Sequence, residues 1–164
     1  MEISHMSKVK VYLDTNTILD FFINYIKHIK RKDELIIPKK LKFMIDNIGE
    51  FQFFTSFLTK LEVMRELISS YNATKEEVEK IWTEFLGLLN CEYIENYNFN
   101  ETLVEIAAST KMKLRTMVNF QHLVIAKDIE AYLLSGDNDL IKVCREKKIY
   151  DKIMSYIEFR QKFI

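Results

Sequence analysis

Apolar and polar positions along this chain alternate between two periods. Val9-Lys10-Val11-Tyr12-Leu13 is a short apolar run that stops at a carboxylate, Asp14. Helical spacing follows at once in Ile18, Leu19, Phe22, Ile26 and Ile29. The pattern predicts a strand at about 9–13 and a helix at about 16–30. Pro38 suits the start of a second helix, about 38–48. Phe51-Gln52-Phe53-Phe54 reads as the second strand, with Thr55 or Ser56 capping a helix that runs to about Tyr71. Its expected stripe is Phe57, Leu61, Met64 and Ile68. Thr74-Lys75-Glu76-Glu77 has the form of a capping box and opens a helix striped by Val78, Ile81, Trp82, Phe85 and Leu88. Cys91 to Ile94 reads as a third strand. Asn100 suits the cap of a helix through about Thr110, and another helix is expected from about Thr116 to Ile129. A fourth strand is predicted at about 132–135 and a helix at about 139–147, while 152–163 has room for a last short strand and a terminal helix.

Strands alternating with helices define the expected class. It is α/β, a three-layer sandwich with a central parallel sheet of four or five strands flanked by helices. Three glycines and one proline in 164 residues favour this design over a turn-rich all-β one. With 48% hydrophobic residues the composition is that of a packed globule rather than a disordered chain. Residues 1–8 read as a flexible leader, with Met6 an alternative start, and 9–164 as a single domain. No apolar run approaches the roughly 20 residues that span a bilayer, so no membrane association is expected. Cys91 and Cys144 form neither a disulfide framework nor a metal-binding spacing, which points to a reducing cytoplasm.

The 24 basic and 24 acidic residues cancel, so net charge makes no case for a polyanionic partner. Their distribution does. Lys27, Lys30, Arg31, Lys32, Lys39, Lys40 and Lys42 face only Asp33 and Glu34 in the same stretch, and Lys111, Lys113 and Arg115 form a second cluster. A polarised surface of this kind can hold a polyanion at zero net charge. It can equally be a set of solvated helix faces.

Two acids stand where ligands bind in open α/β sheets, just beyond the carboxyl ends of strands. Asp14 ends the first strand, and Asp137, with Asp139 behind it, follows Tyr132-Leu133-Leu134-Ser135. Glu62 lies on the flank of the helix after the second strand, placed to lean toward the same edge. Carboxylates gathered in one place repel, and a hard cation such as Mg²⁺ or Mn²⁺ removes the conflict while bridging to phosphate oxygens. Phosphodiester hydrolysis is the chemistry that follows. Each acid also has a structural reading: Asp14 and Asp137 suit helix caps, and Thr59-Lys60-Leu61-Glu62 can be read as a capping box. Trp82 and its stripe read as core or a subunit interface.

Three segments in this order resemble the PIN-domain family over about Val9 to Ile149. Leu13-Asp14-Thr15-Asn16 is similar to its opening motif, Thr55 to Val63 to its Glu-bearing segment, and Leu134-Ser135-Gly136-Asp137-Asn138-Asp139 to its late Asp motif, with Ser135 where Thr is usual. The resemblance implies a Mg²⁺- or Mn²⁺-dependent ribonuclease, with Asp14, Glu62 and Asp137 catalytic and metal-binding and Asp139 an accessory ligand. It implies RNA as partner and, among the toxin members of toxin–antitoxin pairs, an antitoxin protein or a second copy of the chain. Asn16 and Ser135 are assigned to substrate contact. Lys39 and Lys40, in the lysine-rich stretch 31–50, are expected to border the pocket and touch RNA backbone. One departure matters. Where the family usually has a third acid three residues before a His, this chain has Asn119, followed by His122. Asn offers one oxygen and no charge, so metal should bind more weakly. This leaves room for a catalytically weakened module that binds RNA or protein without cutting. His122 reads as a satisfied helix residue. A haloacid dehalogenase-like phosphatase is a minor alternative on Asp14-Thr15-Asn16-Thr17, although its second Asp is Asn16 here and Glu62 would have no role.

Overall fold

The computed structural model describes residues 7–98, 101–109 and 117–163. Among them are five strands and eight helices. The order is β1 (Val9–Leu13), α1 (Thr15–Arg31), α2 (Lys39–Asp46), β2 (Phe51–Ser56), α3 (Phe57–Tyr71), α4 (Lys75–Leu88) and β3 (Glu92–Ile94). Then come α5 (Glu101–Ser109), α6 (Met117–Asp128), β4 (Tyr132–Leu134), α7 (Asn138–Glu146), β5 (Ile153–Met154) and α8 (Tyr156–Phe163). The strands form one parallel sheet in the order β3-β2-β1-β4-β5. The expected α/β class, parallel sheet and helical cover on both faces are all present. The Asn100 cap, Thr110, the Lys111–Lys113–Arg115 cluster and residues 1–6 of the leader lie outside the described residues.

β1 is central, with Val11 opposite both Phe53 of β2 and Tyr132 of β4. Successive side chains of a strand point to opposite faces, so each strand feeds two cores. Val11, Leu13, Phe51 and Phe53 join residues of α1, α2, α3, α4 and α8 in one core. Tyr12, Phe54 and Leu133 join residues of α5, α6 and α7 in the other. The first core is built on aromatic pairs. Phe22 and Phe85 lie 5.1 Å apart, and Trp82 lies 5.7 Å from each of them. Trp82 is therefore a core residue.

Local signals set most boundaries. Thr74 and Glu77 form the complete capping box of α4. Pro38 stands at the N-cap of α2 with φ −59°, the value its ring imposes. Three expectations need correction. The stripe Phe57, Leu61, Met64 and Ile68 is not the buried face of α3: Leu61 is 56% and Ile68 43% exposed. Thr59, Val63 and Leu67 face the core instead. Thr59 hides that face in the sequence, because a hydroxyl sits where an apolar side chain would be expected. Leu13 O accepts from it at 3.3 Å. At the end of α4, Leu88 is exposed and Leu89, beyond the last turn, is buried. β2 also runs two residues past its apolar segment, because Thr55 and Ser56 bury their hydroxyls in bonds to Leu13 O and Tyr12.

Candidate functional site

The strand order reverses direction beside β1. From β1 the chain winds outward through β2 to β3 with α1 to α4 on one face. It then returns by way of α5 and α6 to β4 on the other side of β1. Connections leave β1 and β4 toward opposite faces, so a crevice opens between their carboxyl ends. Asp14 directly follows β1, and Ser135, Gly136 and Asp137 follow β4. The two segments approach closely: a Cβ added at Gly136 would lie 3.7 Å from the Cβ of Asn16 in the first turn of α1. Thr17 Oγ1, in the first turn of α1, lies 2.9 Å from Asp14 Oδ1 and 3.1 Å from Leu134 O at the end of β4.

Asp14 is both a helix cap and a buried acid. Its Oδ1 accepts from Thr17 N–H at 3.2 Å, so the capping reading of this residue is correct as far as it goes. At 5% exposure the carboxyl is pushed up to about 6, chiefly by burial and further by the charge of Glu62, against the pull of His122 and the two Thr17 bonds. Glu62 reaches the site from α3. Its Oε1 accepts from Thr15 Oγ1 at 2.8 Å and lies 2.6 Å from His122 Nε2. Burial opposes its ionisation, but the hydrogen bond from His122, with Thr15 and Arg65, outweighs this and holds the carboxyl below its ordinary range. Thr59-Lys60-Leu61-Glu62 is thus not a capping box, since both of its end residues bond elsewhere.

From the other face, α6 supplies Asn119 and, one turn on, His122. The Asn119 amide donates to Asp137 Oδ2 at 2.8 Å. Asp137 caps α7, with Oδ1 accepting from Leu140 N–H at 3.0 Å, and its own N–H donates to Ser135 Oγ. Four of the predicted positions, Asp14, Glu62, Asn119 and Asp137, therefore come from four elements to the carboxyl edge of β1 and β4. Ser135 is buried in the hydrogen bond beneath Asp137, whereas Asn16 and Asp139 are exposed in the first turns of α1 and α7. Lys39 and Lys40 open α2, with the Lys40 ammonium 5.8 Å from the centre of the Tyr156 ring.

Tyr12, Thr15, Thr17 and Ser56 also belong to the site and were not singled out by sequence pattern. Tyr12 carried a signal. A tyrosine in the buried half of a strand needs a partner for its hydroxyl, and it has two, Ser56 Oγ at 2.7 Å and His122 Nδ1 at 2.6 Å. His122 is buried and bonded at both ring nitrogens, as expected for a satisfied helix residue.

Among the described residues, no three His, Cys, Asp or Glu side chains form a ready-made metal cage. Mg²⁺ does not require one, since it is commonly held by one or two carboxylates with waters and phosphate. Every bond to Asp14 ends on Oδ1 and every bond to Glu62 on Oε1, so Oδ2 and Oε2 take none from a described residue. Two adjacent acids, each with a free oxygen and one costly to ionise, fit a hard divalent cation. A separate cleft of about 580 Å³, lined by Lys127, Cys144, Arg145, Lys148 and Tyr150, holds none of these residues. Its Arg145 is already paired with Glu158.

Fold and site together define a doubly wound α/β protein with an acidic crevice at its topological switch point. No protein-family model matches the chain, and no match is found among curated proteins.

Proposed function

We propose that this protein is a Mg²⁺- or Mn²⁺-dependent ribonuclease of PIN-domain type, hydrolysing RNA phosphodiester bonds in the crevice between β1 and β4. One observation carries the reading: Asp14, raised to about 6, lies beside an ionised Glu62 at the switch point with a free carboxylate oxygen on each. Asp14 and Glu62 would hold the ion, with Asn119 Oδ1 and Asp137 at its margin. When bound, such an ion activates water and neutralises charge developing on a phosphate. The chain's own residues orient the acids. Thr17 fixes Asp14, Thr15 and His122 fix Glu62, and Asn119 and Leu140 N–H fix Asp137. The lysines of α2 would hold the RNA backbone. The finer form of the proposal is a toxin held in check by an antitoxin.

The test is cleavage of single-stranded RNA by the purified chain with Mn²⁺, beside Asp14→Asn. Metal-dependent cleavage lost in the variant supports the proposal, and no cleavage by the wild-type chain under any divalent cation refutes it. A second reading, a module that binds RNA or protein without cutting, is favoured by the Asn119 amide, which satisfies Asp137 without a cation. RNA affinity without cleavage would select it.

A further inference from the structure

Beneath the acids runs a continuous line of polar side chains: Ser56, Tyr12, His122, Glu62 and Thr15. Successive separations are 2.7, 2.6, 2.6 and 2.8 Å, and the line crosses from β2 through β1, α6 and α3 to α1. Tyr12, Ser56 and His122 are buried, and burial keeps the Tyr12 phenol a neutral hydroxyl. Ser56 stands at the N-cap position of α3 yet makes no capping bond. Its hydroxyl is committed to Tyr12 instead.

The direction of the line is set at the Glu62 end. An ionised carboxylate only accepts, so the imidazole must donate to Glu62 Oε1 from Nε2. In the neutral ring Nδ1 is then an acceptor, and the Tyr12 hydroxyl is the donor that faces it. With its one hydrogen donated in the bond to Nδ1, the Tyr12 hydroxyl oxygen accepts from Ser56. Thr15 donates to the same Oε1, and Oε2 stays free.

We propose that Tyr12 and His122 are positioning residues. The directed chain Ser56 to Tyr12 to His122 locks Glu62 with Oε1 turned inward and leaves Oε2 to face a ligand in the crevice. What Glu62 does there rests on the ribonuclease reading; the direction of the chain does not.

Nitrogen-15 spectra of histidine-labelled protein at about pH 8, above the ordinary imidazole range, test the direction. The expected His122 ring carries its proton on Nε2 and none on Nδ1. Glu62→Gln replaces an obligate acceptor with an amide that can donate, so the chain is free to reverse and the Nδ1–H tautomer appears. Tyr12→Phe and, more mildly, Ser56→Ala leave the ring less anchored, with Nε2 proton exchange faster by about tenfold in the first. A wild-type ring protonated on Nδ1, or a tautomer indifferent to Glu62→Gln, overturns the chain. Calorimetric titration with Mn²⁺ tests the positioning. His122→Gln keeps a donor near the Nε2 position and should bind close to wild type, whereas His122→Phe should bind about tenfold more weakly. Equal affinities in the two variants overturn the positioning role. A wild-type chain that takes up no Mn²⁺ refutes the cation reading alone, and the histidine spectrum still decides for or against the chain.

Discussion

Replacing Asp14 with Asn should stabilise the fold at neutral pH while removing the proposed activity. The Asp14 carboxyl titrates at about 6 instead of its ordinary 3.8, because it is buried and lies near Glu62. Below about pH 4 the folded and unfolded chains both carry the proton, and the buried acid costs nothing as a charge. As pH rises toward 6 the unfolded chain releases its proton first, so stability falls. Above about 6 the loss is complete and constant. At 1.36 kcal/mol per pK unit the displacement corresponds to about 3 kcal/mol. Asn caps helices about as well as Asp, so its Oδ1 can still accept from Thr17 N–H. A neutral acceptor binds more weakly than a charged one, which reduces the net gain to about 1–2 kcal/mol. For a chain of this length that is a Tm higher by about 2–8 °C. The assay is thermal unfolding in chelator from about pH 4 to about pH 8, wild type beside Asp14→Asn. The variant's advantage should shrink to nothing toward the acid end. Added Mn²⁺ at about 100 times its Kd should raise the wild type by about 2.7 kcal/mol and leave the variant unmoved. A variant that is less stable at every pH, or better by the same amount at every pH, would refute the account of Asp14 as a buried charge that its partners compensate only in part.

Three further outcomes follow from particular side chains. Asn119→Asp replaces the amide donor to Asp137 with a second carboxylate and should cost about 1–3 kcal/mol in chelator; melts with Mn²⁺ should recover the loss, and a loss that Mn²⁺ does not touch counts against a cation at this edge. Reversing charge at Lys39 and Lys40 should weaken RNA binding and flatten its salt dependence in filter-binding titrations, the slope falling by about 0.7 for each phosphate of a single strand that is no longer neutralised. Phe85→Ala empties the centre of the aromatic cluster of Phe21, Phe22 and Trp82 and should cost about 3–5 kcal/mol by denaturant unfolding.

What the sequence determined by itself is whatever depends on neighbours a few residues apart. The apolar run that halts at Asp14 marks a strand end and a helix start. Thr74 and Glu77 spell a capping box, and Pro38 a helix entry, because the bonds and dihedrals involved close within one turn. Alternation of such elements was enough for an α/β class and for acids at a sheet edge. Tertiary structure decided what depends on long-range pairing. Two helical stripes compete on α3, and burial by the sheet selects Thr59, Val63 and Leu67 over Leu61 and Ile68. The strand order, and with it the switch point beside β1, follows from parallel pairings between strands far apart in sequence. Asn119 meets Asp137 across 18 residues, His122 meets Glu62 across 60 and Tyr12 meets His122 across 110. Asp14 shows both levels in one side chain. Its role as the cap of α1 is written in the local sequence, whereas its burial, its raised titration and its place beside Glu62 arise only when α3 and α6 close over the end of β1.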